Sequence, residues 1–161
     1  MNSGAKTILS VVVWVLLCMA GGGLSGYVSG TGTSQWYQSL SKPSFMPPSW
    51  AFGVVWPILY LLMGIGAGLI WSKGVQNQGV RNAIVLFSIQ LFLNLLWSPL
   101  FFGLHRIGWA LVEIIVLWAA IALTVRAFWK VQPIASLLLW PYLLWVSFAT
   151  VLNASLYSLN H

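Results

Sequence analysis

The residues best suited to chemistry lie in one stretch, W-Y-Q-S-L-S-K-P-S-F-M-P-P-S-W-A-F-G-V-V-W, at positions 36 to 56. Pro43, Pro47 and Pro48 each fix a backbone φ and restrict the residue before them. The stretch is therefore predicted to be a stiff, largely extended connection that ends where a helix can begin. Aromatic side chains and a single cation would project from this rigid frame.

Lys42 is the only charged residue between Lys6 and Lys73. A cation beside aromatic rings at a membrane surface suits an anionic group on an otherwise apolar ligand. The pattern predicts a ligand-binding lid whose binding residues are Trp36, Tyr37, Lys42 and Trp50. The alternative is a structural lid with interfacial aromatic residues, which composition alone favours because Trp and Tyr belts are common in membrane proteins.

Glu113 is the single acidic residue and lies about one turn inside a predicted helix. A carboxyl group within a membrane needs a partner, so we expect this side chain to face the interior. Trp109, four residues earlier, would share its helix face near the lid. A hydrogen bond to a neighbouring helix is favoured over proton chemistry, because one carboxylate without a second acid, a nucleophile or metal ligands makes hydrolysis hard to build.

Two further stripes combine polar and aromatic side chains. Gln90, Asn94 and Trp97 share one helix face, and a second helix carries Tyr142, Trp145, Ala149, Leu152 and Asn153. The polar residues of such stripes often do no more than form hydrogen bonds between helices. Two stripes beneath a lid also predict a pocket lined by Trp, Tyr and amide groups, which is typical of a small-molecule site.

Composition fixes the class of protein that positions these residues. The chain has 161 residues, of which 60% are hydrophobic and 5% charged, whereas a soluble domain carries about 25% charged residues. Each membrane span needs about 20 apolar residues. We predict an all-α membrane protein, a single domain of five transmembrane helices at about 6–28, 49–71, 82–102, 109–129 and 134–159, with the first loop capping a pocket.

The net charge of +6 comes from scattered residues, so no nucleic-acid partner is expected. Two histidines and one cysteine support neither a zinc site nor an internal disulfide, and no cofactor motif is present. Short loops on the N-terminal side carry most of the Lys and Arg residues. The positive-inside rule therefore predicts a cytoplasmic N-terminus, with the lid and the C-terminus on the opposite side.

Glycine pairs at four-residue spacing occur in the first two predicted helices. They are Gly22 with Gly26, and Gly64 with Gly68. Small residues at this spacing let helices approach closely. The sequence leaves open whether each pair packs within one chain or between two chains.

Three motifs carry a resemblance to a known family: W-Y-x-x-L-x-K-P-x-x-x-P-P-x-W at 36–50, N-x-x-W-S-P-L-F-F at 94–102, and W-P-Y-L-L-W-x-x-F-A-T-x-L-N at 140–153. With this order and spacing the chain resembles the TspO/translocator protein family, also called peripheral benzodiazepine receptors. The resemblance implies a five-helix membrane bundle, often a homodimer. It also implies a pocket under the first loop that binds porphyrins such as protoporphyrin IX or haem, sterols and benzodiazepine-type drugs.

Carried over by motif, the pocket would be lined by Trp50, Gly53, Asn94, Trp97, Trp109, Trp145, Ala149 and Leu152. Light-dependent breakdown of protoporphyrin in some members is attributed to tryptophans that match Trp56 and Trp145, so these two are the candidate catalytic residues. Phe45 stands where many members have a second lid tryptophan, and Glu113 replaces the commoner Asp. Ala154 takes the tyrosine position of the cholesterol-recognition pattern, so specific cholesterol binding through that motif is not expected.

The resemblance and the residue pattern together predict a membrane receptor or regulator that binds tetrapyrroles and assists porphyrin transport or disposal. One alternative is an enzyme that degrades porphyrin in light. Another is a secondary transporter of tetrapyrroles or lipids, although no internal repeat supports it.

Overall fold

Five helices are long and apolar enough to cross a membrane in the computed structural model, which describes residues 3–31 and 34–161. They are Ser3–Ser29, Ser49–Trp71, Gln78–Gly103, Ile107–Val131 and Pro133–Leu159. The protein is a multi-pass integral membrane protein with an all-α fold, as the sequence predicts. Gly32 and Thr33, in the predicted loop after the first helix, lie outside the described residues.

The helices in chain order are α1 (Ser3–Ser29), α2 (Gln35–Ser39), α3 (Ser49–Trp71), α4 (Gln78–Ser98), α5 (Ile107–Val131), α6 (Pro133–Leu137) and α7 (Trp140–Leu159). A π-helical turn, Pro99–Gly103, extends α4. The short helix α2 lies in the connection between α1 and α3. We call residues 34–48 of this connection the lid.

The lid is helical in one part and extended in another, which corrects the prediction of a largely extended path. The hydroxyl of Ser34 accepts a hydrogen bond from the backbone N–H of Tyr37 at 3.2 Å and so caps α2. Extended backbone follows α2, with ψ of 139° at Leu40 and of 148° at Pro48. The three prolines lie in this non-helical part, which a turn at residues 44–45 interrupts.

Two helix boundaries differ from the predicted ones for local reasons. Helix α4 begins at Gln78 instead of Asn82, because the side chain of Asn77 accepts a hydrogen bond from the N–H of Gly79 at 2.8 Å. The fifth span is divided into α6 and α7. Pro141, in the first turn of α7, has no N–H to continue a hydrogen-bonded helix from α6.

The glycine pair of α3 packs within the chain. A Cβ added at Gly64 would lie 2.4 Å from Cα of Val15, and one at Gly68 would lie 2.4 Å from Cα of Val11. No side chain could occupy either position without moving the backbone of α1. The pair therefore lets α1 and α3 meet backbone to backbone, which answers one question that the sequence leaves open.

Aromatic and aliphatic side chains fill the half of the bundle away from the lid. Phe87 of α4 and Phe128 of α5 stack with ring centroids 5.8 Å apart, and Trp14 of α1 meets Phe87 edge to face at 5.5 Å. Met63 and Ile70 of α3 are completely buried in the same cluster. This core fixes the helices at one end and leaves room between them at the other.

Candidate functional site

A cavity of about 850 Å³ lies beneath the lid, between α1, α3, α4, α5 and α7. Its volume falls within the range of roughly 300 to 1,000 Å³ that is usual for small-molecule sites. Residues that the sequence predicted for ligand binding contribute to every side of the wall except the α1 and α5 sides. Those that line the cavity are Tyr37, Lys42, Gly53, Trp56, Asn94, Trp97, Trp145, Ala149, Leu152 and Asn153.

Trp50 and Trp109, by contrast, lie outside the cavity wall. Their side chains are 69% and 68% exposed, near the starts of α3 and α5. Both helices start at the lid end of the bundle, where an indole is suited to the boundary between lipid and water. The prediction that these two residues line the pocket is corrected, and the interfacial interpretation fits them.

Trp36, itself part of the lid, packs against the turn after α4 and does not line the cavity. Its ring stacks on His105 at a centroid distance of 4.2 Å and meets Phe101 at 5.7 Å. His105 has a φ of 55°, a left-handed conformation that is uncommon for a residue with a side chain. The turn after α4 thus presents a ring to the lid, and no sequence signal marked His105 for this contact.

Glu113 faces the interior of the bundle, as predicted, with 7% of its surface exposed. It does not line the cavity, and neither carboxyl oxygen has a hydrogen-bond partner among the described residues. The expected hydrogen bond to a neighbouring helix is therefore not found. Trp109, although only about 40° away around the helix axis, does not share this environment, because it lies in the first turn of α5 and its side chain is exposed.

The predicted stripes on α4 and α7 join through a short chain of hydrogen bonds. The amide oxygen of Asn94 accepts a bond from the Tyr60 hydroxyl at 2.7 Å, and its amide nitrogen donates to the Tyr142 hydroxyl at 3.0 Å. Tyr142 is completely buried behind the wall and does not reach the cavity. Its predicted role in ligand contact is replaced by a role in fixing Asn94.

A second set of hydrogen bonds orients Trp97. Its indole N–H donates to the side-chain oxygen of Asn153 at 3.1 Å, and the Asn153 amide donates to the backbone carbonyl of Ile107 at 3.1 Å. The Trp97 ring also stacks on Phe101 at 5.0 Å. Polar groups in this half of the wall are thus paired with each other, which leaves largely apolar and aromatic surface for a ligand.

Trp56 and Trp145 present the two indoles for which the resemblance implies photochemistry. Trp56 stacks on Tyr60 at 5.6 Å, and Trp145 packs against Phe52 at 5.7 Å. The indole N–H of Trp145 is buried and has no hydrogen-bond partner among the described residues.

The lid contributes the cation at the mouth of the cavity. Nζ of Lys42 lies 4.9 Å from the centroid of the Tyr37 ring and donates to the carbonyls of Gln38 and Leu40 at 3.2 and 3.3 Å. An ammonium group has three donors, so one remains for a ligand. Burial raises the pKa of the Tyr37 phenol above its ordinary value, so its hydroxyl stays neutral at neutral pH.

The sequence did not predict the α1 side of the wall, nor Ile114 and Leu117 on the α5 side. Gly22 lies against the ring of Tyr60, where an added Cβ would be 2.2 Å from a ring atom. Ser25 donates to the carbonyl of Leu95 at 2.7 Å, a group that Pro99 cannot bond because it has no N–H. The spacing of Gly22 and Gly26 was the available signal, and it was interpreted only as helix packing.

In the part of the chain that the structure describes, no group of three His, Cys, Asp or Glu residues could hold a metal ion. The residues that line the site make it an apolar aromatic cavity with buried amides and a cation at its mouth.

The sequence profile of the TspO/MBR family matches residues 14–158. The chain belongs to the TspO/MBR family. It is 43% identical over 155 residues to the tryptophan-rich protein TspO of Chlorobaculum tepidum, an alignment that covers 96% of this chain and 98% of that one. It is 42% identical over 138 residues to the translocator protein of Homo sapiens, covering 85% and 81% of the two chains.

A further TspO/MBR relative is the protein CrtK of Rhodobacter capsulatus, which is 36% identical over 148 residues, or 92% of this chain and 91% of that protein. The matched region of the family contains the lid and the whole cavity wall. Family membership thus applies to the complete candidate site and not to isolated helices.

Proposed function

We propose that this TspO/MBR protein is a membrane receptor or regulator that binds a tetrapyrrole, such as protoporphyrin IX or haem, in the cavity beneath the lid. The observation that carries the proposal is a cavity of about 850 Å³ whose wall is aromatic and whose mouth holds a lysine. A porphyrin is complementary to this arrangement, because it has a large flat apolar ring and carboxylates along one edge.

Each part of that ligand has a counterpart in the cavity. The indoles of Trp56, Trp97 and Trp145 offer flat surface for the macrocycle. The ammonium group of Lys42 suits a carboxylate at the mouth. Benzodiazepine-type drugs, which the family resemblance implies as ligands, would use the same aromatic surface.

Titration with protoporphyrin IX in the dark tests the proposal. We expect saturable binding to purified protein in lipid nanodiscs, and Trp145→Phe should weaken it because a phenyl ring offers the macrocycle less flat surface than an indole does. Trp129→Phe is the matched control, since that exposed indole lies at the far end of α5. Absence of saturable binding, or equal effects of the two variants, would contradict the assignment.

Light-dependent degradation of the bound porphyrin is a second candidate, favoured by the position of Trp56 and Trp145 on the same cavity wall. An excited porphyrin can accept one electron from an indole, which gives a porphyrin radical anion and an indole radical cation. Dioxygen would then be the oxidant for opening the ring. This candidate predicts a defined product under light and oxygen that Trp56→Phe and Trp145→Phe abolish, whereas simple photobleaching would continue in both variants.

A further inference from the structure

Asn160, just beyond the end of α7, forms a reciprocal pair of hydrogen bonds with the backbone of Ser41 in the lid. Its side-chain oxygen accepts from the N–H of Ser41 at 2.8 Å, and its amide nitrogen donates to the Ser41 carbonyl at 2.9 Å. The same nitrogen donates to the carbonyl of Leu156 at 2.8 Å. One side chain thus connects the lid to the last turn of α7.

This connection differs from the other hydrogen bonds of the lid. Among the described residues, the remaining ones stay within the lid, such as Tyr37 to Ser34 and Met46 to Pro43, or join its end to the first turn of α3, as Ala51 does with Pro48. The lid's other contacts with the bundle are aromatic, or apolar contacts of Leu40 and Met46. Apolar groups can slide over each other more easily than a paired amide can shift. The Asn160 pair therefore fixes the position of the Ser41 peptide along the mouth of the cavity.

Ser41 directly precedes Lys42, and Pro43 restricts the backbone of Lys42 from the other side. With both neighbours fixed, the direction in which Lys42 leaves the lid is also fixed. We propose that Asn160 is a positioning residue that holds Lys42 at the mouth and so gives the cavity its preference for anionic ligands. This inference rests on the proposed function of the cavity.

A pair of probes that differ only in charge tests the inference: protoporphyrin IX and its uncharged dimethyl ester. Wild-type protein should bind the dicarboxylate more tightly. Asn160→Ala should reduce this preference by about threefold to tenfold, the scale of one partly solvated hydrogen bond to a charged group. The affinity for the ester should change much less, because Asn160 does not line the cavity. Equal loss for both probes would indicate a merely structural role and overturn the inference.

The double variant with Lys42→Gln makes the test sharper. If Asn160 acts through Lys42, Asn160→Ala should not reduce the preference further once the lysine charge is absent. Independent, multiplicative effects of the two changes would contradict the inference. Ser155→Ala is the matched control on α7, since its hydroxyl bonds only the carbonyl of Val151 one turn earlier, and it should leave the preference unchanged.

Hydrogen exchange in the ligand-free protein separates this inference from the proposed function. The Ser41 amide should exchange faster in Asn160→Ala than in wild-type protein or in Ser155→Ala, because its acceptor is lost. An unchanged exchange rate would overturn the role of Asn160 even if porphyrin binds. Failure of wild-type protein to bind either probe would overturn the proposed function, and the preference for anions with it, while the exchange result would still report on the hydrogen-bond pair.

Discussion

The contact between α1 and α3 at Gly64 gives a prediction whose size follows from the structure. A Cβ at Gly64 would lie 2.4 Å from Cα and 2.7 Å from the backbone nitrogen of Val15, about 1 Å closer than the ordinary contact that begins at 3.4 Å. Backbone atoms cannot rotate away as the end of a side chain can. Gly64→Ala must therefore push α1 outward by about 1 Å.

Two opposing effects determine how Gly64→Ala changes the free energy of unfolding. Alanine favours helix over glycine by about 0.5 to 1 kcal/mol, whereas overpacking typically costs about 1 to 3 kcal/mol. Dispersion contacts stabilise helix pairs in lipid, where no hydrophobic effect replaces them. We expect Gly64→Ala to lower the free energy of unfolding by about 1 to 2 kcal/mol.

Reversible unfolding in mixed micelles measures this change, and Gly53→Ala provides a control in the same helix. An added Cβ at Gly53 meets no atom within 4 Å, so the alanine there should be neutral or stabilising by up to about 1 kcal/mol. A Gly64→Ala protein as stable as the Gly53→Ala protein would refute the close approach of α1 and α3.

Three further substitutions and one topology measurement check other parts of the account. Ala149→Thr should weaken porphyrin binding by about 1 to 3 kcal/mol because it narrows the cavity; a loss of melting temperature in the ligand-free protein with unaltered affinity would instead make Ala149 a packing residue. Trp50→Ala should leave the affinity for porphyrin unchanged, since the Trp50 ring lies outside the cavity wall. A clear loss of affinity in the same titration would show that Trp50 contacts the ligand. Glu113→Leu should unfold at the same or a higher temperature, because it removes a buried carboxyl without a partner, whereas a loss of more than about 1 kcal/mol would reveal an interaction of Glu113 that supports the fold. Reporters at the two termini should lie on opposite sides of the membrane, with the N-terminus cytoplasmic, and finding both on one side would exclude five spans.

The five helices were predictable because a span must satisfy its own backbone hydrogen bonds within lipid, which requires long apolar runs. The starts of α4 and α7 were harder to predict from the sequence. They depend on the side-chain cap of Asn77 and on Pro141 within a run that is otherwise uniformly apolar. Neither feature alters the hydrophobic pattern from which the spans were identified.

The cavity wall was predictable where helical spacing placed polar and aromatic residues on one face, as for Asn94 and Trp97. It was not predictable where a large ring could face either the bundle or the interface. Trp109 and Trp145 have the same chemistry, but Trp109 is at a helix start, where the lipid-water boundary favours an outward indole. The stack of Trp36 on His105 depends on a left-handed turn that only the folded chain reveals.

The most direct test of the central claim is to fill the cavity from one open position and measure porphyrin binding in the dark. Gly53 lines the cavity and Gly103 does not, yet an added Cβ meets no atom within 4 Å at either position. We predict that Gly53→Leu reduces the affinity for protoporphyrin IX by about tenfold or more, the scale of a displaced aromatic contact, while Gly103→Leu binds like wild-type protein. Equal affinities in all three proteins would contradict the claim that the ligand occupies this cavity.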